Sequence, residues 1–97
     1  MQSFGELIQS ETPVLVDFHA TWCGPCKMMS PILQEVKNAM GNNVTIVKID
    51  VDQNPELSQQ FEVQGVPTLI VFKKGKMVWR ASGVIPAKQL EQVIASA

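Results

Sequence analysis

The sequence predicts an α/β fold, a mixed sheet of about four strands flanked by helices on both faces. Three observations predict it. Short β-branched runs alternate along the chain with segments of helical period. The first two such runs, residues 14–18 and 44–49, are separated by one long helical segment, which makes a right-handed crossover between parallel strands. Two later runs, 68–72 and 77–81, are joined by Lys73-Lys74-Gly75-Lys76, the signature of an antiparallel hairpin.

The elements follow in order. Phe4, Leu7 and Ile8 have helical spacing and form a short opening helix that Glu11-Thr12-Pro13 ends. Val14-Leu15-Val16-Asp17-Phe18 is nearly all apolar, as a strand covered on both faces should be. From about Cys23 to Met40, the residues Met29, Ile32, Leu33, Val36 and Met40 recur on one side of a helix that Pro31, inside it, should kink and that ends at Gly41-Asn42-Asn43. Residues 44–49 read as a second buried strand. Asn54-Pro55 starts a short helix through a side-chain cap followed by proline, and Leu57 and Phe61 form its apolar side. Pro86 opens a last helix with Leu90, Val93 and Ile94 facing inward.

With 97 residues, 45% of them apolar, the chain suits one domain, 1–97. A formal charge of −1 gives no electrostatic case for nucleic acid or an anionic membrane surface. No apolar run approaches the roughly 18 residues of a membrane span. Residues 1–11 are polar and acidic with no basic n-region, unlike a secretory signal, so the expected location is the cytoplasm.

The chemistry concentrates in Cys23-Gly24-Pro25-Cys26, which holds both cysteines of the chain. Cys23 follows a strand and opens a helix. A thiolate there faces unpaired backbone N–H groups and the positive end of the helix dipole, which lowers its pKa. Cys26 lies almost one turn further in, and is expected to be the more buried of the two. Cys23 would attack a substrate disulfide; Cys26 would then displace the reduced substrate and close a Cys23–Cys26 bond. Three other readings compete. A zinc site needs two more soft ligands where only His19 is on offer, and an iron–sulfur site needs four thiolates. As a purely structural link, so short a loop contributes only about 2 kcal/mol.

Trp22-Cys23-Gly24-Pro25-Cys26-Lys27 resembles the active-site motif of the thioredoxin family. Val16-Asp17-Phe18, Asp50-Val51-Asp52-Gln53-Asn54-Pro55 and Gly65-Val66-Pro67-Thr68-Leu69 match in order and spacing, so the resemblance covers the chain from Phe4 on. It implies the thioredoxin fold and a protein-disulfide reductase. It also implies no bound cofactor or metal, electrons from NADPH through a thioredoxin reductase, and disulfide-containing protein substrates. A monomer is expected. A binding module that uses the same surface as a scaffold is the competing class, against which Cys23, Cys26, Asp17 and Pro67 all argue.

The resemblance also assigns roles, each with a plainer alternative. Asp17 becomes a buried proton acceptor for Cys26, with Lys48 on the adjacent strand as its partner; the alternatives are a strand-end carboxylate turned to water and a solvated surface lysine. Pro67 takes a cis bond beside the sulfurs, where an ordinary loop proline would be trans, and the Val66 backbone pairs with an extended substrate. Trp22 is an exposed platform and not a core residue. Gly24, Pro25, Val51, Gly65, Gly83 and Val84 complete a flat docking surface, although Gly83 could serve only a turn. Met29 belongs to the core and Met28 to the surface.

Two departures from the family stand out. His19 stands where members usually carry tryptophan, and is either a hydrogen-bonded packing residue or an added proton equilibrium near Asp17. Only 22 residues precede Cys23, so the family's opening edge strand is expected to be absent, exposing an edge at residues 44–49.

Overall fold

The computed structural model describes residues 3–97; the first two residues of the expected 1–97 domain lie outside the described residues. Ser3 caps α1 (Phe4–Leu7) through a reciprocal capping box with Glu6, and this helix stops sooner than Glu11. Next come β1 (Val14–His19), α2 (Gly24–Met40) and a 3-10 turn at Gly41–Asn43. Then follow β2 (Thr45–Asp50), α3 (Pro55–Gln60), β3 (Thr68–Lys73), β4 (Lys76–Ser82) and α4 (Ala87–Ala95).

The strands form a mixed sheet in the order β2-β1-β3-β4, parallel between β1 and β2 and antiparallel elsewhere. Strand alternation divides β1 and β3 between two cores. Leu15, Leu69 and Val71 face Met29, Leu33 and Val36 of α2 and Leu90 and Ile94 of α4. Val14, Val16, Phe18, Ile70 and Phe72 face α1 and α3, where Phe4, Phe61 and Phe72 meet with ring centroids 5.4–5.7 Å apart. Helices therefore cover both faces, and β1 and β3 are buried along nearly their whole length. Pro31 lies on the exposed side of α2 and does not end it. No helix among the described residues is long and apolar enough to cross a membrane.

Two local expectations are corrected. Residues 44–49 do not form a buried strand: only Val44 is buried, and β2 is half-exposed because it is an outer strand with a neighbour on one side alone. Asn54 does not cap α3 with its side chain; its Nδ2 donates to the Asp50 carbonyl at 3.0 Å instead. Pro55 still occupies the first helical turn, where its missing N–H costs nothing. The Lys73–Lys76 hairpin turns through Lys74 (φ 53°) and Gly75 (φ 82°), the double positive φ of a two-residue connection. Its tip is fastened to the segment after α1 by Gly75 N–H to Ile8 O and Lys74 N–H to Ser10 O, both 2.9 Å.

Candidate active site

Cys23 and Cys26 are joined as a disulfide, with their Cα atoms 5.3 Å apart. Cys23 is the N-cap of α2 in extended backbone, and its Sγ accepts from the Cys26 N–H at 3.1 Å. A sulfur thus takes the place usually held by a capping oxygen, so negative charge on it would be met by an unpaired donor and the helix dipole. The predicted difference in depth does not hold: Cys23 is 4% exposed and Cys26 6%. Ala20 is buried in one cluster with the pair, and Val51 and Val66 pack against that cluster. What distinguishes the sulfurs is their surroundings. Cys23 Sγ lies 3.6 Å from Val66 O, on the side of an exposed rim, whereas Cys26 lines a cleft on the side of Asp17.

The rim is assembled from four loops, those after β1, β2, α3 and β4. The Val66–Pro67 bond is cis, as the resemblance implied. The loop around it is clamped by Thr68 Oγ1 donating to Gly65 O at 2.6 Å and by Gly83 N–H donating to Pro67 O at 2.8 Å. Gly83 has φ 96°, so a side chain there would be strained. Trp22 is 70% exposed, which removes the core alternative, and its indole N–H donates to Asp52 Oδ2 at 2.8 Å. Asp52 is itself held by Asp50 Oδ1, which accepts from the N–H groups of Asp52 and Gln53. Gly24, Pro25 and Gly65 are exposed, Val84 is partly so, and Val51 and Val66 are half-buried against the cysteines. Met29 is buried in the core and Met28 is exposed.

Behind the sulfurs, a cleft of about 280 Å³ is lined by Asp17, His19, Ala20, Thr21, Cys26, Lys27, Ser30 and Lys48, and it opens to solvent past the exposed Thr21, Lys27, Ser30 and Lys48. Asp17 is 3% exposed, so it is not the strand-end carboxylate turned to water. Its Oδ1 has no hydrogen-bond partner. Burial raises its pKa above the usual carboxylate value, opposed by the charges of His19 and Lys48. Lys48 is Asp17's neighbour in the β1–β2 register but is not its hydrogen-bond or ion-pair partner. It is exposed, and its Nζ reaches Ser30 Oγ at 3.5 Å. The ammonium keeps its hydration at the sheet edge, which a buried pair would forfeit.

Ser30, Asp50 and Asp52 are site residues that sequence reasoning missed. The signal for Ser30 was its position four residues after Cys26, on the same helical face; for the two aspartates it was the quoted Asp50-Val51-Asp52 segment. Among the described residues, no three His, Cys, Asp or Glu side chains gather as a metal-holding group.

The family model described as Thioredoxin matches residues 1–96. The chain is 48% identical over 93 residues to a thioredoxin of Alicyclobacillus acidocaldarius subsp. acidocaldarius, covering 96% of this chain and 89% of that protein. It is 50% identical over 96 residues to chloroplastic thioredoxin Y of Oryza sativa subsp. japonica, covering 98% of this chain but spanning only 57% of that relative's length. The oxidised form of mitochondrial thioredoxin 3 from Saccharomyces cerevisiae superposes with a TM-score of 0.86 at 37% identity, over 97% of this chain and 87% of the other.

Proposed function

The chain belongs to the thioredoxin family, and from that premise we propose that it is a protein-disulfide reductase working through Cys23 and Cys26. The observation that carries the proposal is the Cys23–Cys26 disulfide at the N-terminus of α2, with the Cys23 sulfur accepting the Cys26 N–H at 3.1 Å. In the reduced protein the same donor and the helix dipole favour the Cys23 thiolate, the nucleophile of thiol–disulfide exchange. Trp22, Gly24, Pro25, Val51, Gly65, Val84 and the Val66–Pro67 loop form the surface on which a disulfide-bearing polypeptide docks. The Val66 backbone beside Cys23 suits an extended substrate strand.

Cys23 attacks one sulfur of the substrate and expels the other as thiolate. Cys26, after giving its proton to Asp17, attacks Cys23 and releases the second substrate thiolate. Asp17 suits this task because burial makes it a stronger proton acceptor than a solvated carboxylate. The electron pair ends in the protein disulfide, so no bound cofactor is required. A thioredoxin reductase, drawing on NADPH, restores the dithiol.

Reduction of insulin disulfides with dithiothreitol as donor tests the reading. The protein should accelerate insulin precipitation, and Cys23→Ser should reduce the rate to that of dithiothreitol alone. Cys26→Ser should accumulate a mixed disulfide with insulin. Equal rates for Cys23→Ser and the parent protein would refute the proposal.

A further inference from the structure

We propose that His19 is the proton outlet of the buried carboxyl site: it takes from Asp17 the proton that Asp17 has received from Cys26, and passes it to solvent. The proposal rests on the reductase reading and adds a residue to it.

Asp17 has a problem that the exchange reaction alone leaves open. It is 3% exposed and one of its oxygens has no partner, so a proton placed on it needs a route out before the next cycle. Residues 17 and 19 of β1 point to the same face of the sheet, the face of α2. Both line the cleft that also holds Cys26. His19 is half-buried, so within that cleft its ring is more accessible to water than the 3%-exposed Asp17 carboxyl.

The other charged or titratable groups in or beside this space are unsuited to the task. From α2 come Cys26, which is the proton source, and Lys27; from β2 come Lys48 and Asp50. The two ammonium groups have no acceptor capacity, and Lys48 is turned to Ser30. Asp50, the register neighbour of His19, does not line the cleft that holds Asp17 and Cys26, and its Oδ1 accepts from the N–H groups of Asp52 and Gln53. On the other side, β3 sets Leu69 beside Asp17 and Thr68 beside Phe18, neither of which titrates near neutral pH. An imidazole is the side chain that accepts and gives up a proton in this range.

The steps balance. Cys26–SH and Asp17 carboxylate become Cys26–S⁻ and Asp17 carboxylic acid. The Cys26 thiolate forms the bond to Cys23 as the bond to the substrate sulfur breaks, and the electron pair leaves on the substrate thiolate. Neutral His19 then takes the proton from Asp17 through water in the shared cleft, becomes imidazolium, and releases the proton to bulk water, which supplies one to the substrate thiolate.

The test uses the reduced protein and dithiobis-nitrobenzoate in stopped flow. The first release of thionitrobenzoate reports attack by Cys23, and the second reports resolution by Cys26. The rate of the wild-type second phase, followed between about pH 5.5 and 8.5, should pass through an inflection. His19→Gln should lose that inflection and slow the second phase about tenfold, a modest part of what general acid–base catalysis can supply. His19→Trp, which restores ring bulk without titration, should lose it too. Free imidazole should rescue His19→Ala but not Asp17→Asn, and His19→Gln should add no slowing on the Asp17→Asn background. Superimposable profiles for wild type and His19→Gln, absence of imidazole rescue, or recovery of the inflection by tryptophan would overturn the proposal. Two normal releases from wild type alongside such a result remove His19 alone; failure of wild type to give the second release removes the reductase reading itself.

Discussion

Asp17, Ser58 and Thr68 are buried polar residues of this molecule, and only the last two are satisfied. Ser58 Oγ donates to Asn54 O and Thr68 Oγ1 to Gly65 O. A carboxylate left without its full set of partners costs stability. Because burial raises the Asp17 pKa above its ordinary 3.8, the folded protein binds this proton more tightly than the unfolded chain does. The contribution of Asp17 to stability is therefore complete below the unfolded value and is lost as pH rises through the folded one. Asp17→Asn should raise the thermal midpoint at neutral pH by an amount that shrinks toward zero in acid, read by thermal melts across pH. The same substitution should slow resolution by about tenfold to a hundredfold. Lys48→Ala, by contrast, removes an exposed lysine whose contact is Ser30. It should shift stability by no more than about 0.5 kcal/mol, checked by urea unfolding.

At the scale of the element, the two ends of the site are held by different devices. The N-terminus of α2 is capped by a reactive sulfur, so the helix cap and the nucleophile are one atom. The far end of α3 is held by Arg80 of β4, whose guanidinium donates to the Phe61 and Glu62 carbonyls, where Glu62 sits at φ 53°. Those carbonyls lie just past a six-residue helix whose own last carbonyls, at Leu57, Ser58 and Gln59, accept from the N–H groups of Phe61, Val63 and Glu62. Arg80→Met keeps most of the side-chain bulk and deletes both bonds. It should cost about 1 kcal/mol, read as a lower urea midpoint with an unchanged slope.

Across the whole molecule, β1 and β3 carry the two cores back to back, so Phe18 and Leu69 are fully buried on opposite faces of one sheet. Phe18→Ala should cost about 3–5 kcal/mol, a large part of the stability of a domain this size, read by guanidinium unfolding. The sheet ends on one side at β4 and on the other at β2, and neither has an outer neighbour among the described residues. The β2 edge carries Lys48, a charge of the kind that discourages pairing with another chain.

The order and type of the elements, the cysteine pair and the division of Met28 from Met29 were legible in the sequence, because period and spacing are local properties of the chain. The cis bond at Pro67 and the exposed place of Trp22 were legible only through resemblance. Three things were decided by the tertiary structure. β2 is half-exposed because its depth depends on a neighbouring strand that no residue within it encodes. Cys23 and Cys26 are both buried, in a cluster against which Val51 and Val66, far away in sequence, pack. Asp17 and Lys48 stand side by side in register without pairing, since hydration of the ammonium at the sheet edge outweighs a bond in the interior.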